Sequence, residues 1–237
     1  MTTLTFLTLN TGNEFTQPTA LSALLTDVDV SVAALQELHA YTAGLLRQEV
    51  QDQFPHQILS PAYIHGKGLI SRFPIVRHDW FVLPSGRTCL EAVLDIAGTP
   101  ARVFVVHLTP PERGRMVRPT NQDVEVLISR ATWDTPSILA GDFNFVRPAR
   151  SYRLLRQAGF SDAFASAGSG SGLTYPTRYQ HRPITLPRMV RIDYIWVSEH
   201  FVARTSWVGP EVGSDHKPLL AELELHVDQQ MVPPADA

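Results

Sequence analysis

Ser137-Ile138-Leu139-Ala140-Gly141-Asp142-Phe143-Asn144 reads as a short buried strand that delivers a carboxylate and an amide where it ends. Brief apolar runs bounded by turn residues have the pattern of strands covered on both faces. Loops at strand ends are where a sheet presents its chemistry. Whether Asp142 and Asn144 matter therefore depends on what the other strand ends carry.

Working outward, Leu4 to Leu9 alternates as a strand and stops at Asn10, while Val28 to Leu35 reads as a buried strand ending at Gln36-Glu37. Gly68 to Ile75 forms a short strand. Cys89 to Ile96 and Arg102 to Val106 form a pair joined through Gly98-Thr99-Pro100, and the second runs straight into His107. Downstream, Ile192 to Val197 carries Asp193, and Leu219 to His226 follows Gly213-Ser214-Asp215-His216-Lys217-Pro218. Helical spacing occupies 18–26 after a proline start, 39–52, 121–131 and 148–158, the last closed by Gly159. The Gly, Ser and Ala residues of 165–173 read as a mobile surface loop. Sheets of normal size need strands from both ends of the chain, so a single mixed α/β domain over 1–227 is expected, with a disordered tail at 228–237.

The composition is that of an ordinary globular protein: 237 residues, 44% hydrophobic and 18% charged. No apolar stretch reaches the roughly 18 residues of a membrane span, and Met1 to Asn10 lacks the pattern of a secretory signal. A cytoplasmic protein with no obligate protein partner is the expectation. Cys89 is the only cysteine, which excludes an intramolecular disulfide and a cysteine-rich zinc site. Net charge is −3, yet residues 101–200 hold 13 Lys+Arg against 8 Asp+Glu. Arginine outnumbers lysine eighteen to two, as suits bidentate phosphate recognition and equally a GC-rich genome.

Asn10, Glu37, His107, Asp142, Asn144, Asp193, Asp215 and His216 thus all fall at or next to strand ends. Gathered on one edge, they would make a pocket of carboxylates, amides and imidazoles suited to a hard divalent cation and a phosphate. Carboxylate and amide oxygens favour Mg²⁺, Mn²⁺ or Ca²⁺ over soft metals. The chain has no His-Glu-x-x-His, no Cys-x-x-Cys, no nucleotide-cradling Gly-x-x-x-x-Gly-Lys-Ser/Thr loop and no Gly-x-Ser-x-Gly elbow. Taken singly, each residue has a plainer reading: Glu37 as a helix cap, Asn10 as a turn amide, Asp193 as an edge-strand surface residue, His107 as a hydrogen-bonded core edge.

Leu9-Asn10, Leu35-Gln36-Glu37, Val106-His107, Gly141-Asp142-Phe143-Asn144, Arg191-Ile192-Asp193-Tyr194-Ile195 and Gly213-Ser214-Asp215-His216-Lys217-Pro218 resemble, in order and spacing, the endonuclease/exonuclease/phosphatase superfamily over about residues 4–226. Each tetrapeptide is weak; six in register are strong. The resemblance implies a four-layer α/β sandwich of the DNase I-like kind, two mixed sheets face to face with helices outside. It also implies hydrolysis of a phosphoester with Mg²⁺ or Mn²⁺. By position, Glu37, Asn10 and Asp215 would hold the metal, Asp142 would deprotonate the attacking water, Asn144 and His107 would grip phosphoryl oxygens, and His216 would act with Asp193.

The chain departs from some relatives. Gly12 stands where certain nucleases carry an acid, and His65-Gly66-Lys67-Gly68 holds no carboxylate to orient His107. The pattern is most similar to a bacterial branch of unassigned hydrolases. Arg113, Arg115 and Arg118, and then Arg178, Arg182, Arg188 and Arg191, read as two basic loops beside the pocket, with Arg113 and Arg115 as phosphate contacts; ordinary solvated arginine fits them equally. A phosphodiesterase acting on DNA or RNA is the first expectation. The alternatives are a phosphomonoesterase, a lipid-headgroup hydrolase of sphingomyelinase or inositol-phosphate type, and a non-catalytic phosphate-binding domain.

Overall fold

The computed structural model describes residues 1–13, 15–110, 118–131, 134–176 and 190–226. Twelve strands and five helices alternate along these residues: β1 (Thr2–Asn13), α1 (Pro18–Asp27), β2 (Val32–Leu38), α2 (Ala40–Glu49), β3 (His56–Ser60), β4 (Lys67–Ser71), β5 (Ile75–Val82), β6 (Thr88–Ile96), β7 (Thr99–His107), α3 (Arg118–Arg130), β8 (Ser137–Asp142), α4 (Arg150–Gln157), β9 (Ser161–Asp162), α5 (Ala163–Ala167), β10 (Asp193–Val197), β11 (Phe201–Val208) and β12 (Leu219–Leu225).

The strands form two six-stranded mixed sheets, ordered β11-β12-β1-β2-β4-β3 and β5-β6-β7-β8-β10-β9. Side-chain alternation explains the layers, because successive strand residues point to opposite faces. In β1, Leu4 and Phe6 enter the core between the sheets, while Leu7 and Leu9 pack outward with Leu21 and Leu25 of α1. In β10, Ile195 and Val197 face the same inner core, while Tyr194 and Trp196 pack outward with Val124 and Leu127 of α3. Two sheets with helices outside make the expected four-layer sandwich.

Several local expectations are corrected. Residues 28–31 are not strand: Val28 caps α1, Asp29 turns the chain at φ 54, and β2 begins only at Val32. The 165–173 segment opens with the last residues of α5, and Gly168 pairs with Ser206 of β11, so it is anchored. Four strands have no counterpart in the sequence reading, namely β3, β5, β9 and β11, and every one lies at a sheet edge. An edge strand needs no continuous apolar run; β5 buries almost nothing along Val76 to Trp80.

Candidate active site

Strand register brings the chemistry together. In the second sheet His107 lies directly beside Asp142 across the parallel β7/β8 pair, and Asp142 lies opposite Asp193 across the antiparallel β8/β10 pair. Three side chains from three neighbouring strands therefore stand abreast at one edge. In the first sheet Asn10 pairs with Gln36, which places Glu37 one residue beyond it at the corresponding edge. Asp215 and His216 arrive on the turn before β12, held there by Ser214, whose hydroxyl donates to the Asn10 carbonyl at 2.6 Å and accepts from the His216 amide at 3.0 Å.

Asn10 ties the two sheets together. Its amide nitrogen donates to Glu37 Oε1 at 3.1 Å and to Asp142 Oδ2 at 3.2 Å, and its carbonyl oxygen accepts from the Gly12 amide. Asp142 receives more: its Oδ1 accepts from the Asn144 backbone at 2.9 Å and its Oδ2 from the Asn144 side chain at 3.2 Å. Glu37 and Asn144 hold φ angles of 50° and 52°, a left-handed conformation that is uncommon for non-glycine residues and clusters at functional sites. Thr11 stabilises the first bend by donating to the carbonyls of Gln36 and Glu37.

Two glycines are sterically required. A Cβ on Gly141 would meet the Val106 carbonyl oxygen at 1.8 Å, and φ there is 147°, so no other residue fits between β7 and Asp142. A Cβ on Gly12 would sit 2.9 Å from Asp215 Oδ1. The space that an acidic side chain two places after the asparagine would need is therefore occupied by the Asp215 carboxylate.

The two imidazoles are held in opposite charge states. Burial disfavours the charged form of His216, but Asp193, with Oδ2 2.9 Å from Nδ1, more than reverses this, and Asp142 and Asp215 add to it; the pKa rises to about 10. His107 is pushed well below its usual value by burial, then by Arg87 and Lys67. Its Nδ1 is buried without a hydrogen-bond partner among the described residues, as the missing carboxylate in 65–68 foreshadowed. Lys67 Nζ instead donates to the His65 carbonyl and the Thr88 hydroxyl. Asp142 Oδ2 lies 3.7 Å from His107 Nε2 and 3.9 Å from His216 Nε2. Burial raises the Asp142 carboxyl to about 7, against the pull of His216 and with a push from Asp193.

Around this centre opens a cleft of about 830 Å³ lined by Asn10, Glu37, His107, Asp142, Asn144, Asp215 and His216. Asp193 sits behind His216, fully buried. Sequence reasoning gave no site role to Tyr175, whose ring packs against His216 at 4.6 Å between centroids, nor to Arg87, Phe15 and Tyr63, which also line the cleft. These residues sit in turns and at strand starts, where neither periodicity nor motif marks them.

The basic loops divide. Arg113, Arg115, Arg178, Arg182 and Arg188, the Arg118 side chain and the tail at 228–237 lie outside the described residues. Arg191 does not face the cleft: both of its terminal nitrogens bind Asp162, at 2.9 and 2.7 Å, beneath the outer layer. Among the described residues no three His, Cys, Asp or Glu side chains are already closed into a metal cage, and no helix is long and apolar enough to cross a membrane.

The chain is similar in sequence or in fold to known proteins. YbhP of Escherichia coli K12, an uncharacterized protein, is 26% identical over 176 residues, which span 68% of this chain and 63% of YbhP, less than two thirds of the relative's length. Three solved structures share the fold. An endonuclease/exonuclease/phosphatase from Beutenbergia cavernae superposes with a TM-score of 0.79 at 20% identity, covering 95% of this chain and 72% of that one. The Bacteroides thetaiotaomicron mannosyl-6-phosphatase Bt3783 gives 0.72 at 17%, covering 94% and 100%. The TDP2 of D. rerio, complexed with a single-strand DNA product, gives 0.72 at 15%, covering 94% and 100%. At such identities these likenesses speak for the fold alone. The sequence profile of the Endonuclease/Exonuclease/phosphatase family, however, matches residues 7–216, from the first strand to the imidazole that Asp193 holds, and the chain belongs to that family.

Proposed function

We propose that the protein is a divalent-metal-dependent phosphodiesterase that cleaves its substrate by in-line attack of water, with DNA or RNA the first polymers to test and the cytoplasm its setting. The observation that carries this reading is Asp142, a buried carboxylate raised to about 7 between a neutral and a protonated imidazole, at the floor of an open cleft. A group poised near neutrality is suited to accept a proton from water.

The donor set fits Mg²⁺ or Mn²⁺. Glu37 and Asp215 line the cleft as hard oxygen donors, spread out rather than caged, and the Asn10 amide, whose nitrogen binds Glu37 while its oxygen accepts from Gly12, would join them through Oδ1 by turning over. Mg²⁺ takes one or two protein carboxylates and keeps its waters for substrate, which is what such an open set offers. When bound, the cation would supply Lewis-acid stabilisation of charge on phosphoryl and leaving oxygens.

The chain's own groups divide the remaining work. Asp142 orients the water and takes its proton; Asn144 holds the Asp142 carboxylate with two hydrogen bonds, and the amide hydrogen it now gives to the Leu108 carbonyl would turn to the phosphoryl group when substrate enters. His107, neutral, donates a hydrogen bond to a phosphoryl oxygen from Nε2. His216, kept charged by Asp193, neutralises the developing negative charge. No side chain need become covalently attached, so inversion at phosphorus is expected.

The apolar lining of Phe15, Tyr63, Ile64, Phe145 and Val146 favours one second reading, a lipid-headgroup or other phosphoester hydrolase on the same centre. One screen separates the two. Single- and double-stranded DNA, RNA, phospholipid vesicles, inositol phosphates and small diesters are incubated with Mg²⁺ or Mn²⁺, with chelator, and with Asp142→Asn protein as blank. Polymer cleavage that disappears with chelator and falls about 10²-fold in the variant supports the first reading. Turnover that survives thorough metal removal rules out the metal-dependent mechanism.

A further inference from the structure

Beyond the reacting centre, two helices begin at the same lip of the cleft. Thr120, in the first turn of α3, and Ala149, the residue that caps α4, both line it. The two first turns are tied together: the buried Ser151 hydroxyl donates to Asn121 Oδ1 at 2.7 Å. The first amides of a helix have no intrahelical acceptor, and the aligned dipoles make that end attractive to anions.

Ordinarily a capping side chain or an acid in the first turn answers these groups. Here α4 is capped by an alanine with no side-chain hydrogen bond, and neither helix has an acidic residue in its first turn. The first carboxylate along α3, Asp123, is engaged by the Ser85 amide. Arg147 and Arg150 stand exposed on either side of Ala149. A second, independent observation is Thr120, only 7% exposed, which faces the cleft and whose hydroxyl has no hydrogen-bond partner among the described residues and so is open to a ligand there.

We propose that the joined first turns of α3 and α4 form a second anion subsite, which receives a second phosphate carried by the same substrate while the first lies at Asp142. The α4 amides and the Thr120 hydroxyl supply the contacts, and the exposed Arg147 and Arg150 add positive charge nearby. This deepens the phosphodiesterase reading and rests on it: the substrate class becomes diesters bearing a further phosphate, as in a nucleic-acid strand or a polyphosphorylated small molecule. An unphosphorylated diester would leave the subsite empty.

The dinucleotide TpT is compared with pTpT and TpTp in wild-type, Ala149→Asp and Thr120→Val proteins. Asp at the cap would place a carboxylate on the α4 amides and repel an anion while raising the thermal midpoint, because Asp is a preferred cap. Expected is a kcat/KM about tenfold or more higher for at least one phosphorylated dinucleotide in wild type, collapsing to near parity in Ala149→Asp and falling severalfold in Thr120→Val. Parity among the three substrates in wild type overturns the proposal.

Inorganic phosphate titrated into ¹⁵N-labelled protein gives a readout that needs no turnover. Shifts of the Thr120, Arg150 and Ser151 amides that are lost in Ala149→Asp support the subsite, even if no dinucleotide is cleaved, in which case the hydrolase reading alone fails. Absence of those shifts at saturating phosphate overturns the subsite. A nonanucleotide and inositol bisphosphate, run as further substrates, tell a strand from a small molecule as the source of the second phosphate.

Discussion

His216 Nδ1 stands 2.9 Å from Asp193 Oδ2, and this contact decides the charge of the imidazole at the mouth of the cleft. Burial alone would make His216 neutral; the carboxylate raises its pKa to about 10. The proton is therefore present throughout neutral pH and lost only as pH rises through that value. Asp193→Asn removes the compensating charge, so burial should carry the pKa below the ordinary 6.5. Turnover at pH 8 should fall about 10²-fold, and the alkaline limb of the pH–rate profile should move from above pH 9 to below pH 7. A limb that stays in place would take His216 out of the charge-stabilising role.

Glu37 combines two unfavourable features, a left-handed backbone at φ 50° and a carboxyl whose pKa burial raises. Glycine meets no steric penalty at that φ, so Glu37→Gly should stabilise the fold by about 1 kcal/mol, net of its own chain entropy. The same change deletes a proposed cation donor. Calorimetric Mn²⁺ affinity should drop about tenfold or more while the thermal midpoint rises. An affinity that holds would remove Glu37 from the metal site.

Lys67 is fully buried with no carboxylate partner among the described residues, and burial lowers its pKa from 10.5 to about 8. Below pH 8 the amine is charged in both folded and unfolded chains, and burying it costs about 3 kcal/mol at 1.36 kcal/mol per pKa unit. The cost shrinks as pH rises from about 8 and is gone by 10.5. Lys67→Met avoids it but strands the His65 carbonyl and the Thr88 hydroxyl, at about 1 kcal/mol each. A net gain of about 1 kcal/mol is expected at pH 7, reversing to a net loss near pH 10.5. Thermal melts at both pH values check this.

Much of the fold was legible because the central strands β1, β7, β8, β10 and β12 are covered on both faces, and only nearly continuous apolar sequence satisfies that position. Their ends could be read together, so the site residues emerged as a set. The edge strands β3, β5 and β11 were hidden for the complementary reason: Val76 to Trp80 touches solvent and its sequence is free to be polar. Contacts that depend on close approach were equally hidden. Nothing in the sequence announces that Gly12 makes way for Asp215, or that Tyr175 lies on His216, since each joins segments more than 40 residues apart.

Arg191 illustrates how a residue placed correctly in a motif can have a different partner. Two residues before Asp193, it reads from sequence as part of a basic loop beside the pocket or as an ordinary solvated arginine. Its guanidinium instead lies over the Tyr194 ring, 4.5 Å from the centroid, and grips Asp162, which also accepts from the Tyr152 hydroxyl and caps α5. With Asp162 fully buried, removing the cation leaves an uncompensated charge, whose cost is about 3–5 kcal/mol. Arg191→Met should therefore lower stability by that amount in urea melts. Double replacement of Arg191 by Met and Asp162 by Asn should recover part of the loss, because the buried charge goes with its partner. At a temperature where the variant is folded, its salt-dependent affinity for a phosphate polymer should match wild type, since the guanidinium meets no substrate. A weakened salt dependence with unchanged stability would return Arg191 to the cleft.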